Sequence, residues 1–325
     1  MERRPFLALF TTAVAGCGAT DSTTETPATP RTETEPPTEE PTPTTTPTPT
    51  STPTEEPTDT PTGAETEARE AIAAVRSTLG AVLEQYRGDA GETILAADAA
   101  HTGFADRTVQ IGLTEAKRET ERAREAAVTD AQRRTVENLA TTRHFLDGAA
   151  ETQVALVGAY RHLQNAHDAF AAVNPTTASE AVETMDAERR IARSPYRTVV
   201  EETDAEATAA LPPLATSTYR AKLAQFDAEM GAFGALHDPL DSMLRGIGRL
   251  ESALALRRNG STAQAEQMAA SAAGRLDTAA AAFAAFADGL GTPADSLVGE
   301  SRDLSDLAAT KAAATRERFA LPDAG

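Results

Sequence analysis

The sequence predicts an all-α protein, an elongated antiparallel bundle of about five to seven helices that follows a disordered N-terminal tether. From residue 64 onward, apolar residues recur at steps of three and four, which is the period of an amphipathic helix. A strand is not expected: Val109, Ile111 and Leu113 alternate, but a neighbouring glycine and flanking charges argue against a sheet. Residues 21–63 contain 11 prolines and 18 threonines and almost nothing apolar, so they cannot form a core.

Two helices are predicted early in the domain. The apolar stripe from Ile72 to Tyr86 predicts the first, which Gly88 closes. A much longer helical pattern follows the capping-box sequence Thr129-x-x-Gln132. We expect Gly148 to bend this long helix, and Asn174-Pro175 to end it.

The middle region is predicted to consist of short helices. Thr177-x-x-Glu180 and Thr203-x-x-Glu206 both match the capping box that begins a helix. Pro195 and Pro212-Pro213 are expected to break the chain between them, because proline removes a backbone donor and clashes with the preceding turn.

The last third carries a partly coiled-coil-like seam. Its apolar positions alternate steps of four and three over four heptads, and a kink is expected at Pro239. Asn259-Gly260 ends the seam, Ser261 caps the next helix, and Thr292-Pro293 begins the last one. The seam positions are Tyr219, Leu223, Phe226, Met230, Phe233, His237, Leu240, Leu244 and Ile247.

The charge balance restricts the partners. The chain has a net charge of −19, and residues 64–325 hold 39 acids against 27 bases. A surface of that sign repels phosphate backbones and anionic lipid headgroups, so we expect no nucleic-acid partner. Lysine occurs only at positions 117, 222 and 311, and arginine supplies the other bases. Excess acid with arginine in place of lysine resembles proteins of salt-loving archaea.

The N-terminus carries two export motifs in order. Arg3-Arg4-Pro5-Phe6-Leu7 resembles the twin-arginine pattern, and an apolar stretch too short to span a bilayer follows it. Val14-Ala15-Gly16-Cys17 resembles a lipobox, in which the chain is cleaved before the cysteine and the thiol carries a lipid. The leader and linker therefore resemble those of twin-arginine-exported archaeal lipoproteins. This resemblance implies Arg3, Arg4, Phe6 and Leu7 as the export motif, Cys17 as the lipidation site, and anchoring to the outer face of the cytoplasmic membrane.

Three regions follow from this reading. Residues 1–16 form a signal peptide that is removed, residues 17–63 a lipidated cysteine with a disordered Thr/Pro/Glu-rich linker, and residues 64–325 the helical domain. Proline at this density favours an extended linker with a reach on the order of 100 Å. The Thr-Pro runs fit an O-glycosylated stalk and a plain spacer equally well.

Motifs for chemistry are sparse. No phosphate loop, nucleophile elbow or zinc signature occurs in the sequence, so we expect no enzyme and no cofactor. His167 and His237 fall on apolar seams, with Asp168 and Asp241 close in sequence. They are weak metal-ligand candidates beside the plainer interpretation as core imidazoles with one hydrogen bond. Asn259-Gly260-Ser261 is a candidate N-glycosylation site.

The sequence therefore favours a non-enzymatic cell-surface lipoprotein whose helical domain binds or scaffolds. Its expected partners are membrane lipid through Cys17 and either an unknown surface protein or a second copy of itself. The alternative is a solute- or metal-binding lipoprotein that uses histidines and carboxylates within the bundle.

Overall fold

The computed structural model describes residues 62–322, which form nine α-helices and two short 3-10 turns with no strand among them. The predicted all-α fold is confirmed, although eight of the helices exceed one turn where five to seven were expected. Within the described range, no helix is both long enough and apolar enough to cross a bilayer. The helices are α1 Gly63–Arg87, α2 Asp106–Ala126, α3 Asp130–Ala171, α4 Pro175–Glu202, α5 Ala205–Thr208, α6 Thr216–Ala235, α7 His237–Arg258, α8 Thr262–Gly289 and α9 Val298–Phe319.

Neighbouring helices in the sequence pack as hairpins. The closest pairs are α1 with α2, α3 with α4, α7 with α8, and α8 with α9. Helix α6 packs mainly against α4 and also contacts α3, which joins the two halves of the chain. Connections of three to eight residues make α3 and α4, α7 and α8, and α8 and α9 antiparallel neighbours, as the sequence predicts. A longer connection, residues 88–105, joins α1 to α2.

Helix α3 is the longest element. Both hydrogen bonds of the predicted capping box are present at Thr129 and Gln132, and the helix continues for 42 residues, about 63 Å at 1.5 Å per residue. Gly148 lies inside it at a close approach to α4, since a Cβ there would lie 2.3 Å from Cγ2 of Val199. The glycine therefore serves close helix packing, and α3 continues through this position, where a bend was expected.

The starts of the middle helices differ from prediction. Helix α4 begins at Pro175, and the Asn174 side chain accepts a hydrogen bond from the backbone N–H of Thr177 at 3.2 Å. Helix α5 is capped by Asp204 rather than Thr203. Asparagine and aspartate are strong capping residues, and proline at the first helical position needs no donor, so these neighbours prevail over the threonines.

Pro195 does not break the chain as expected. It lies inside α4, which runs on to Glu202. The carbonyl of Ile191 consequently has no N–H partner four residues later in the helix.

The heptad seam is largely buried, but His237 is an exception. Its side chain is 64% exposed, because α6 ends at Ala235 and α7 begins at His237 instead of one helix kinking at Pro239. Pro239 is buried in the first turn of α7, where its missing N–H costs no hydrogen bond. The expectation of a seam histidine at this position is therefore wrong.

Two apolar cores hold the described helices together. The larger is built mostly from α1 to α4, α6 and parts of α7 to α9. The smaller lies where α7, α8 and the end of α9 meet, around Leu250 and Phe319. Alanine alone makes up the buried α8 contribution to the smaller core, which lets neighbouring helix axes approach closely.

Candidate functional site

The export and lipidation residues Arg3, Arg4, Phe6, Leu7 and Cys17 lie outside the described residues. Asn259, the candidate glycosylation site, is exposed on the turn between α7 and α8. Gly260 follows it with a φ of +79°, a conformation that glycine adopts without strain. The asparagine side chain is therefore accessible.

The candidate metal ligands do not converge. Nδ1 of His167 lies 2.8 Å from Oε1 of Glu300 on α9, rather than pairing with Asp168, which is exposed. Asp241 pairs with Arg245 at 2.7 Å on the same helix. Among residues 62–322, no group of three or more His, Cys, Asp or Glu side chains is arranged to hold a metal ion.

A buried polar cluster on α6 was missed by the sequence analysis. Nζ of Lys222 donates to the carbonyl of Ala97 and to Oε1 of Gln153 and Gln225, at 2.9 and 3.1 Å for the two glutamines. The ammonium also lies 4.5 Å from the centre of the Phe226 ring. Lys222 has no exposed surface, so these contacts replace its hydration.

Glu229 lies one heptad further along the same face of α6. Its Oε1 accepts the backbone N–H of Ala99 at 3.1 Å and the amide of Gln225 at 3.3 Å. Its Oε2 has no hydrogen-bond partner in the described part of the chain. Burial raises the pKa of Glu229, and burial lowers the pKa of Lys222, while each group's charge partly offsets the shift of the other.

This buried cluster is structural. Lys222, Gln225 and Glu229 bind backbone groups of Leu95, Ala97 and Ala99, in the connection between α1 and α2. Neither charged side chain reaches the surface. A signal was present in the sequence, since one of only three lysines falls on the apolar stripe of α6, seven residues before a glutamate.

An acidic groove is the clearest candidate for binding. A cavity of about 610 Å³ lies between α2, α3 and α4, with His144 also in its lining. Val154 and Ile191, which are 37% and 57% exposed, supply aliphatic surface to it. Among residues 62–322, no lysine or arginine lines it. Four carboxylates line it: Asp106, Asp147, Glu151 and Glu188.

Three backbone features shape the acidic groove. Gly148 brings α4 close to α3. Gly158 leaves room for the Glu188 carboxylate, which would lie 3.2 Å from a Cβ at that position. Pro195 leaves the carbonyl of Ile191 without a helical donor at the edge of the cavity.

The carboxylates of the acidic groove are poorly neutralised. Asp147 lies 3.6 Å from Arg143, whereas Asp106, Glu151 and Glu188 have no ion pair among the described residues. The pKa of Glu151 is raised, first by burial and then by the negative charges of Asp147 and Asp106. A bound cation would relieve this repulsion, so the groove favours positively charged groups.

The opposite flank of α4 is basic. A second cavity of about 650 Å³ between α4 and α6 is lined by Arg190, Arg193, Arg197 and Tyr196, with Asp227 as its single acid. Both cavities share Ser194. The outer edge of α4 is therefore a ridge between an acidic and a basic depression.

Comparison of the chain with protein-family models, with curated proteins and with solved structures finds no match.

Proposed function

We propose that the protein is an exported lipoprotein anchored through Cys17, and that its helical domain is a non-enzymatic binding module. Its binding site is the acidic groove between α2, α3 and α4. The ligand is a cationic, partly apolar segment of a protein. The proposal assigns no catalytic step and no cofactor to the groove.

The observation that carries the proposal is the composition of the acidic groove. Four carboxylates, three of them without an ion pair in the described residues, face a cavity whose lining lacks lysine and arginine. Lysine or arginine side chains of a ligand would pair with these carboxylates, and arginine would do so through two parallel hydrogen bonds.

The aliphatic residues favour a protein segment over a simple cation. Val154 on α3 and Ile191 on α4 both line the cavity and both remain substantially exposed. A helix laid into a groove buries apolar residues at its centre and places charges at the rim. The acidic groove, bounded by helices on three sides, has the composition that such a ligand requires.

A synthetic amphipathic peptide of leucine and arginine, the leucine–arginine peptide, tests the groove. We expect the unlipidated full chain, made with Cys17→Ala, to bind the peptide in isothermal titration. Glu151→Gln with Glu188→Gln should weaken binding about tenfold or more, because it removes two carboxylates that pair with the arginines of the peptide. A tenfold loss corresponds to about 1.4 kcal/mol. The control, Glu251→Gln with Glu266→Gln, removes the same charge from exposed positions on α7 and α8 and should change the affinity less than about twofold. Equal loss in both pairs would show attraction to net charge alone.

Cell fractionation tests the anchoring. Cys17→Ala should move the protein from the membrane to the medium or leave an uncleaved precursor, and Arg3→Lys with Arg4→Lys should block export. A mature protein that begins at another residue and carries no lipid mass on Cys17 would contradict the proposed anchor.

A further inference from the structure

We infer that the segment bound in the acidic groove is the arginine ridge of α4 from a second copy of this chain, so that two copies form a symmetric dimer. This inference rests on the proposed function, because it names the occupant of the same groove. The ridge is the exposed edge of α4 that carries Arg190, Arg193 and Arg197.

The ridge has the charge and the exposure of a ligand for the groove. The three arginines are spaced three and four residues apart, so they share one face of α4. The same three arginines line the cavity between α4 and α6, and Ser194 lies between that cavity and the acidic groove. Side chains of Arg190 and Arg197 are 65% and 72% exposed.

The arginines of the ridge are incompletely satisfied within one copy. Arg190 shares Asp186 with Arg189, so two cations meet one carboxylate. Arg197 lies 3.9 Å from Glu201, at the long end of an ion pair. Arg193 makes no ion pair or hydrogen bond within residues 62–322. A carboxylate-lined groove would satisfy all three.

Charge also makes this ridge an unusual surface for the chain. Residues 64–325 hold 39 acids against 27 bases, so a randomly chosen surface of a second copy repels the groove. The ridge instead presents three arginines around Ser194. Ridge and groove are adjacent on one helix, so a single patch contains both complementary halves.

Symmetry determines how the two copies meet. A two-fold axis parallel to α4 turns the acidic flank of one copy toward the arginine ridge of the other. Each ridge then enters the groove of the other copy. A two-fold axis perpendicular to α4, in the plane of contact, would instead set acidic flank against acidic flank. The dimer is therefore one in which the two α4 helices run parallel.

Ionic strength should affect this dimer in two directions. Each helical domain carries a net charge of −12 by the counts above, 27 minus 39, which opposes association over long distances. The Debye length falls from about 30 Å at 0.01 M salt to about 8 Å at 0.15 M, so moderate salt screens this repulsion and leaves close ion pairs largely intact. Dimerisation is expected to be stronger at about 0.15 M salt than at 0.01 M.

Charge reversal with mixing tests the dimer by sedimentation velocity, on the unlipidated Cys17→Ala full chain. The ridge variant is Arg193→Glu with Arg197→Glu, and the groove variant is Glu151→Lys with Glu188→Lys. We expect the parent chain to dimerise at micromolar to millimolar concentration, and each variant alone to be at least tenfold weaker. An equimolar mixture should dimerise again, because glutamates on one ridge meet lysines in the other groove while the second ridge and groove retain their natural charges.

Circular dichroism confirms that each variant is folded before mixing, and Glu151→Lys alone replaces the groove variant if it is not. A monomeric parent chain, variants that dimerise like the parent, or a mixture that stays monomeric would each overturn the inference. Titration of the ridge variant with the leucine–arginine peptide separates the two proposals, since its groove is intact and unoccupied. If the parent is monomeric but this variant binds peptide, only the dimer fails. If the variant binds no peptide, the proposed function fails as well.

Discussion

Removing either member of the buried Lys222–Glu229 pair should give variants whose stabilities depend on pH in opposite directions. In the natural protein the two groups together hold one proton over the neutral range. With two protons, the charged lysine would be buried without an anion, and with none, the charged glutamate would be buried without a cation. Lys222→Met leaves the carboxyl of Glu229 without its cation. Glu229→Gln leaves the ammonium of Lys222 without its anion.

The direction in which the stability of Lys222→Met changes with pH follows from the carboxyl of Glu229. Burial raises the pKa of Glu229 from 4.5 to about 7 even with Lys222 beside it, and removal of the lysine raises it further. The folded state then holds a proton that the unfolded state has lost. The variant is therefore most stable below about pH 4.5 and loses about 1.4 kcal/mol per pH unit above it, or roughly 3 kcal/mol between pH 5 and 7.

The stability of Glu229→Gln should change with pH in the opposite direction. Burial lowers the pKa of Lys222 from 10.5 to about 7 even with Glu229 beside it, and removal of the glutamate lowers it further. The unfolded state then binds a proton that the folded state has released. Stability should rise by about 1.4 kcal/mol per unit from pH 7 toward 10.5, or roughly 3 kcal/mol between pH 7 and 9.

Urea denaturation at about pH 5, 7 and 9 measures both slopes. Near pH 7 each variant should be about 3–5 kcal/mol less stable than the parent, as is usual when a buried charge loses the opposite charge that compensates it. The control, Lys117→Met, changes an exposed lysine and should stay within about 0.5 kcal/mol at every pH. Slopes of the same sign in both variants, or no slope in either, would refute the assignment of a coupled buried pair.

Other substitutions test the packing, the histidines and the surface charge. Gly148→Ala should cost about 1–3 kcal/mol in urea denaturation, because its Cβ would overlap Val199, whereas Gly274→Ala, with nothing within 4 Å, should stabilise α8 by about 0.5–1 kcal/mol. His167→Leu should cost about 1–3 kcal/mol because it removes the hydrogen-bond partner of a buried glutamate, while His237→Leu, at an exposed position, should change the melting temperature by no more than a degree or so. The melting temperature of the full chain should rise between dilute buffer and molar salt, since acids outnumber bases; equal values in both would remove the electrostatic argument.

The helices could be predicted because their signals are local. Two of these signals are periodic: the apolar stripe of α1 and the seam of α6 and α7. The capping box at Thr129 is a short motif that marks a helix start. Helix starts were less predictable where two capping residues compete within a few positions. Asn174 and Asp204 prevailed over the nearby threonines, and that outcome depends on which start extends the helix along its neighbours.

Proline positions show a second limit of local reasoning. Pro195 continues a helix because α4 gains enough packing against α3 to outweigh a lost backbone hydrogen bond. Pro239 fits a first turn because the chain breaks three residues earlier. In both cases tertiary packing decides between a kink, a break and a tolerated proline, and a single sequence does not contain that information.

The candidate site depends on which helices become neighbours. The acidic groove joins residues from α2, α3 and α4 that span more than eighty positions of the chain, so no local motif marks it. The arginines of the ridge are visible in the sequence, but their place on the flank of α4 that lines the second cavity is not. The position of Lys222 does carry a signal in the sequence, because a charged residue on an otherwise apolar helix face needs a buried polar partner.

Zero-length crosslinking with a carbodiimide tests the acidic groove most directly. The reagent joins a carboxylate to an amine in contact with it, and the chain has only three lysines of its own to compete. A leucine–lysine analogue of the cationic peptide, mixed with the ridge variant, should couple mainly to Asp106, Asp147, Glu151 and Glu188, as mapped by mass spectrometry. Crosslinks spread over all the acids of the helical domain, the 39 natural ones of residues 64–325 and the two introduced on the ridge, in proportion to their exposure would contradict a binding site in this groove.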